Sequence, residues 1–284
     1  MKYYKLQLIA AILMLMISCK KNADTLQSTV EAKTLLNVSY DASPEQKMDI
    51  YLPANRNMSF TKVLIMIHGG GWSGGDKTDM TQFADTMQRR LPDYAVFNIN
   101  YRLAVGTNLF PTQESDVKSA LQFIINNSAD YQVSQKIVLL GASAGAHLAL
   151  LQGYKYSSPV KPKAIVSFFA PIDLIDMYNR PANSLVPAGL VSVIGKTPIQ
   201  DSLLYANSSP VNFVNSTSPA TILLHGGLDP LVRASQSTAL KTKLDATNVI
   251  NQLVIYPNEG HGWFGSVLFD SFNKIEVFIK ANVN

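Results

Sequence analysis

Short apolar runs recur along the chain, bounded by Gly, Asn, Asp or Pro and spaced widely enough for a helix between them. Residues 35–40 (LLNVSY) and 47–52 (KMDIYL) alternate enough for half-buried strands, joined by a turn at Asp41-Ala42-Ser43-Pro44. Later runs are solidly apolar: 63–67 (VLIMI), 94–99 (YAVFNI), 137–140 (IVLL), 164–169 (AIVSFF), 221–224 (TILL) and 252–256 (QLVIY). Runs of this length without alternation suit strands covered on both faces of a mostly parallel sheet.

Between them the apolar period changes to that of a helix. After Pro111, the residues Val117, Ala120, Leu121, Ile124 and Ile125 recur at helical spacing. Segments 144–152 and 232–244 also suit helices, and 271–283 places Phe272, Ile275, Phe278 and Ile279 on one face. Strands alternating with helices predict an α/β fold with helices on both faces of one sheet. Residues 174–214 break the alternation. They are rich in Pro, Asn and Ser with little periodicity, and are expected to form an insertion over the C-terminal edge of the sheet.

The first residues follow a different rule. Lys2 and Lys5 precede an apolar run at 6–17 (LQLIAAILMLMI), too short for a membrane span of about 20 residues. The run ends at Ser18-Cys19, and Cys19 is the only cysteine. An apolar run, a small residue and then Cys resembles a bacterial lipoprotein signal, cut before the Cys with lipid attached to its sulfur. The resemblance implies residues 1–18 as signal peptide, Cys19 as lipidation site and a membrane-anchored protein. Lys20 and Lys21, with no acidic pair beside them, favour an outer-membrane anchor facing the periplasm. The alternative is an ordinary secretory signal and a soluble periplasmic or secreted protein. Residues 19–34 are polar and aperiodic and read as a tether. The domain is then 35–284, and without Cys19 it has no thiol and no disulfide of its own.

With 284 residues, 47% hydrophobic and 15% charged, the chain suffices for one large domain. No linker, charge run or repeat divides it. The net charge is +4, two of the positives lie in the leader, and the remaining Lys and Arg form no stripe. Nucleic-acid binding therefore has no electrostatic support.

The chemistry concentrates in a few motifs. Gly141-Ala142-Ser143-Ala144-Gly145 matches G-x-S-x-G, after the run IVLL and at the start of a helix. A sharp strand-to-helix turn needs tiny neighbours on both sides of the serine. It lifts the hydroxyl clear of the sheet at the positive end of a helix. His68-Gly69-Gly70-Gly71-Trp72 follows the run VLIMI. Backbone N–H groups of such a loop, with the N–H of Ala144 after the serine, would stabilise the oxyanion of acyl transfer.

The base follows by elimination among four histidines. His68 and His225 stand at strand ends before Gly-Gly, where imidazoles bond backbone. His147 lies inside the helix after the serine and is expected to pack at the sheet–helix junction. His261, in Asn258-Glu259-Gly260-His261-Gly262-Trp263, has glycines on both sides and follows the last strand. The acid is expected at Asp229, in His225-Gly226-Gly227-Leu228-Asp229-Pro230, one strand before the histidine. Asp173 is the second candidate, and Glu259 stands too close to His261 along the chain. No cofactor is expected, since no dinucleotide fingerprint or cluster of metal ligands remains. The stretch 189–197 (GLVSVIGKT) has one residue too many between its glycines for a phosphate loop.

HGGGW, NYRLA at 100–104, GASAGAH, HGGLDP and EGHGW together resemble α/β-hydrolase esterases of the group related to hormone-sensitive lipase and the BD-FAE feruloyl-esterase-like lipoproteins. The likeness covers residues 35–282. It implies an α/β-hydrolase fold, Ser143, Asp229 and His261 as catalytic triad, and Gly70, Gly71 and Ala144 around the oxyanion. Arg102 and Asp116 look like the structural ion pair of that group, against the alternative of solvated surface charges. The implied activity is a serine esterase acting on small-molecule or oligosaccharide esters, with short-acyl, acetyl or feruloyl esters of carbohydrate foremost. An arylformamidase-like amide hydrolase is the alternative reaction, and a non-catalytic binding lipoprotein of the same fold is the alternative class.

Overall fold

The computed structural model describes residues 30–283. The expected leader, Cys19 and most of the tether therefore lie outside the described residues. Eight strands form one sheet: β1 (Lys33–Ser39), β2 (Lys47–Leu52), β3 (Lys62–Ile67), β4 (Tyr94–Ile99), β5 (Ile137–Ala142), β6 (Ala164–Phe168), β7 (Ala220–Gly226) and β8 (Asn251–Tyr256). Their order across the sheet is β1-β2-β4-β3-β5-β6-β7-β8. β1–β2 and β2–β4 pair antiparallel; every later pair is parallel. Each strand lies where the apolar pattern predicts one. β1 begins at Lys33, inside the segment expected to be tether, because Lys33 and Thr34 still pair with Leu52 and Tyr51 of β2.

The helices are α1 (Thr81–Arg90), α2 (Thr112–Asn126), α3 (Ser128–Tyr131), α4 (Ala144–Lys155), α5 (Leu174–Asn179), α6 (Val186–Ile194), α7 (Ser202–Asn207), α8 (Ser235–Ala246) and α9 (Gly265–Asn282). They cover both faces of the sheet. Val63, Ile65 and Ile67 of β3 pack with Leu121 of α2, Leu148 of α4 and Leu240 of α8. Leu64 and Met66, pointing the other way, pack with Met87 of α1 and Phe272 and Ile275 of α9. This two-sided cover is why β3 reads as an unbroken apolar run.

Two elements depart from expectation. α1 was not expected: its buried stripe, Met80, Ala84, Met87 and Leu91, keeps helical spacing, but the helix is polar on average and presents no apolar run. The insertion at 174–214 is helical, holding α5, α6, α7 and a 3-10 turn at Pro210–Phe213. In α6 the buried residues Val186, Leu190, Val193 and Ile194 do keep helical spacing. Pro187 and Gly189 disguise it. Pro187 stands in the first turn, where its missing N–H breaks no helical bond. Residues 189–194 are thus helix, and Gly195 caps it at φ 82°, which removes any phosphate-loop geometry.

Candidate active site

The C-terminal ends of β3, β5, β7 and β8 converge, and each delivers one part of the site. β5 runs into α4 through Ser143, which has φ 53° and ψ −120°. A non-glycine residue adopts such a backbone only where its surroundings impose it. Here they do. The Ser143 N–H donates to the Phe168 carbonyl of β6 at 2.8 Å. A side chain on Gly145 would strike the carbonyl oxygens of Ile67 and His68 at the end of β3, and one on Gly141 would strike Gly145. The two glycines of the motif therefore let α4 start directly against β3 and turn the serine outward.

β8 leads into the loop carrying His261. Its Nε2 lies 2.9 Å from Ser143 Oγ and its Nδ1 lies 2.7 Å from Asp229 Oδ2. With a carboxylate at Nδ1, that nitrogen carries the proton and Nε2 presents its lone pair to the serine hydroxyl. The Phe169 ring, at the end of β6, packs on the imidazole with centroids 4.6 Å apart.

Asp229 follows β7 and its carboxylate is sealed from solvent. Oδ1 accepts the N–H groups of Leu231 at 2.8 Å and Val232 at 2.9 Å. His225 Nε2 lies 3.3 Å from Oδ2 while donating to the Val232 carbonyl at 2.8 Å, and its Nδ1 accepts from Ser237 Oγ at 2.7 Å. Burial alone would raise the Asp229 carboxyl. Hydrogen bonds from His225, His261 and the Val232 N–H outweigh it and hold the group well below the usual carboxylate range. His225 thus bonds backbone as expected and also supports the carboxylate. The four-residue spacing from His225 to Asp229 is the signal that the sequence reading passed over.

The other acids are placed elsewhere. Asp173 caps α5, accepting the Asp176 N–H at 2.9 Å. Glu259 engages through its backbone, its carbonyl accepting from the Leu228 N–H at 2.9 Å.

The loop after β3 turns tightly, with the N–H groups of Ser73 and Gly74 donating to the Gly70 carbonyl. Gly70 and Gly71 both have positive φ and line a cavity that also reaches Ser143 and His261. Ala144 is buried as the first residue of α4. His68 stacks on Tyr101 at 4.3 Å and its Nδ1 bonds the Gly69 carbonyl, so it stays behind the loop. His147 is fully buried. Its Nδ1 accepts from the Trp72 indole N–H at 3.2 Å, and its Nε2 donates to the Ser208 carbonyl at 2.7 Å. It therefore fastens the Trp72 end of the glycine loop to the insertion. Arg102 and Asp116 form a forked ion pair, with the carboxylate buried and also held by Gln46 and the Arg102 N–H. Solvated surface charge does not describe it.

The cavity above Ser143 measures about 530 Å³. Its floor is the glycine loop with Ser143 and His261. Its far wall is α6, which contributes Val186, Leu190 and Val193, with Met177 and Leu231 beside it. The insertion thus does lie over the C-terminal edge of the sheet and makes this wall apolar.

Comparison with known proteins agrees with this architecture. The BD-FAE family model matches residues 48–244, a span that holds Ser143 and Asp229 and stops short of His261. The esterase LipQ of Mycobacterium tuberculosis is 28% identical over 214 residues, covering 71% of this chain and 50% of LipQ. The chain spans about half the length of the curated relatives it matches. Among solved structures, a truncated carbohydrate esterase from gut microbiota superposes with a TM-score of 0.78 at 24% identity, covering 89% of this chain and 97% of that one. A bifunctional GH43–CE protein of Bacteroides eggerthii gives 0.76 at 26% identity, over 88% of this chain and 38% of that one.

Proposed function

The chain belongs to the BD-FAE family and has the α/β-hydrolase fold, and we propose that it is a serine hydrolase cleaving carboxylic esters of carbohydrate through an acyl-enzyme. The observation that carries this reading is the continuous hydrogen-bonded chain Ser143–His261–Asp229, at 2.9 and 2.7 Å, opening into a cavity floored by the glycine loop.

In this mechanism Ser143 Oγ attacks the ester carbonyl carbon as His261 Nε2 takes the hydroxyl proton. Negative charge moves to the carbonyl oxygen, where the N–H groups of Gly70, Gly71 and Ala144 stabilise it. The carbon–alkoxy bond then breaks, and the imidazolium returns its proton to the departing alcohol. Water enters and His261 takes one of its protons. Hydroxide adds to the acyl carbon, the Ser143–acyl bond breaks to release the carboxylic acid, and the imidazolium returns its proton to Ser143 Oγ. Asp229 holds the Nδ1–H tautomer and stabilises the imidazolium in both halves of the cycle.

The test is hydrolysis of acetylated xylo-oligosaccharides, methyl ferulate and a chain-length series of 4-nitrophenyl esters. Wild type should cleave the short-acyl esters, and Ser143→Ala should lower kcat by about 10⁴-fold or more with KM little changed. If every ester is inert while Ser143 still reacts with a fluorophosphonate, the ester class is wrong and amides become the substrates to try.

The lipid anchor belongs to the same proposal and rests on residues 1–19 of the sequence. Palmitate labelling in a bacterial host should appear on the wild-type chain and disappear in Cys19→Ala. Equal labelling of both would remove the anchor.

A further inference from the structure

A second cavity of about 250 Å³ lies beside the first and shares Gly69, Gly70, Ala142 and Phe169 with it, so the two meet next to Ser143. We infer that this second cavity is the subsite for the sugar ring of the ester, leaving the insertion-covered cavity for the acyl group. The inference rests on the carbohydrate-ester reading above and assigns its two halves to places.

The chemistry of the leaving group ties the alcohol to the His261 loop. The alcohol oxygen must receive its proton from His261 Nε2, so the alcohol lies on the imidazole's flank. His261 itself lines the first cavity, but the loop that carries it continues as Gly262, Trp263 and Phe264, and these three residues wall the second. Phe169, whose ring packs on the imidazole, stands between the two spaces and lines both. Its backbone is held at φ 39°, a strained value for a phenylalanine, so its position is imposed by the fold around it.

The walls suit a sugar. Phe264 is 84% exposed at the mouth, where no packing requirement explains a phenylalanine. The Trp263 indole N–H is already taken by Ser271 Oγ at 2.8 Å, so the residue offers hydrocarbon surface to the cavity. Phe83 is braced edge-on by Phe168 and Phe272. Aromatic faces carry partial negative charge and attract the polarised C–H face of a sugar ring. The opposite need, acceptors for hydroxyl groups, is met by Asp79. One of its oxygens accepts the Asp76 N–H at 3.0 Å, which leaves the other for a hydroxyl. Asp79 is exposed, so that oxygen is open to a ligand at the cavity rim. The first cavity also presents Ser73, Asn183 and Ser192, but it holds no carboxylate, and Val186, Leu190 and Val193 make its far wall apolar.

The experiment separates this assignment from the reaction itself. The full-length Ser143→Ala chain is titrated with the unacetylated disaccharides xylobiose, cellobiose and mannobiose, and binding is followed by saturation-transfer NMR. At least one should bind, and adding Phe264→Ala or Asp79→Asn should weaken it at least tenfold. Asp79→Asn keeps an oxygen for the Asp76 N–H, so the loop is retained. In the active enzyme, either substitution should raise the KM for the acetylated sugar, relative to that for ethyl acetate, by at least tenfold while kcat holds. The inference is overturned if none of the sugars binds, or if both substitutions leave sugar binding and the KM ratio unchanged. Failure of the esterase reading looks different: neither ethyl acetate nor any sugar ester is cleaved and Ser143 does not label, while the sugar titration still reports on the cavity.

Discussion

The Asp229 carboxylate has two oxygens and four donors within reach, two backbone N–H groups and two imidazoles. That inventory decides among the three acids the sequence offers. Asp173 spends its carboxylate on a helix cap. His147 shows the converse case, a histidine that its surroundings keep neutral. Burial lowers its pKa to about 4, against the smaller opposing effect of its bond to the Ser208 carbonyl. The folded value lies below the unfolded one of about 6.5, so the unfolded chain takes up the proton first. The stabilisation is complete above about pH 6.5 and is lost as pH falls toward 4. Urea unfolding should therefore give a free energy about 2–3 kcal/mol lower at pH 4.5 than at pH 7.5 from this group. His68, also lowered by burial, acts in the same direction. Asp229, depressed, loses its contribution only below about pH 3.9, as it is protonated. His147→Gln keeps a donor and an acceptor but does not titrate, so its stability should fall less between those pH values. An unchanged pH dependence would show that His147 is not the group responsible.

At the scale of elements, α4 against β3 is the contact on which the site depends. Gly145 faces the carbonyl oxygens of Ile67 and His68, which belong to a paired central strand and its end and have no room to retreat. Gly145→Ala should cost about 2 kcal/mol as overpacking, lowering Tm by about 4–8 °C in a domain of this size. It should also reduce kcat, since Ser143 moves with the helix start. A Tm equal to wild type, read by calorimetry, would mean the contact is looser than described. The same scale explains what the sequence made legible. β3 to β7 could be read because burial on both faces leaves unbroken apolar runs such as VLIMI and IVLL, whereas β1 and β2 were legible from their alternation. The hydrogen-bonded trio Ser143, His261 and Asp229 could be read because each member follows a strand end and sits among glycines. α1 was not read although its few apolar residues keep helical spacing, because the helix is polar on average and forms no apolar run. The start of α9 at Gly265 was expected at 271, because only Leu268 among the first residues continues the buried stripe of Phe272, Ile275 and Ile279. Phe169 gave no signal at all. In the sequence it is the last letter of an apolar run, and only the turn at the end of β6 aims its ring at His261.

Across the whole molecule the parts divide by task. The sheet and its two apolar layers hold the strand ends in register, the loops at those ends carry Ser143, Asp229 and His261, and the insertion supplies the apolar wall. His147 links these levels, joining the glycine loop through Trp72 to the insertion through Ser208. The most direct test of the central claim is labelling with a fluorophosphonate followed by peptide mass mapping. One adduct is predicted, on the peptide containing Ser143. It should be absent in Ser143→Ala and slowed by about 10³-fold or more in His261→Ala, where no base receives the hydroxyl proton. An adduct on another residue, or a Ser143→Ala chain that labels as fast as wild type, would contradict the account.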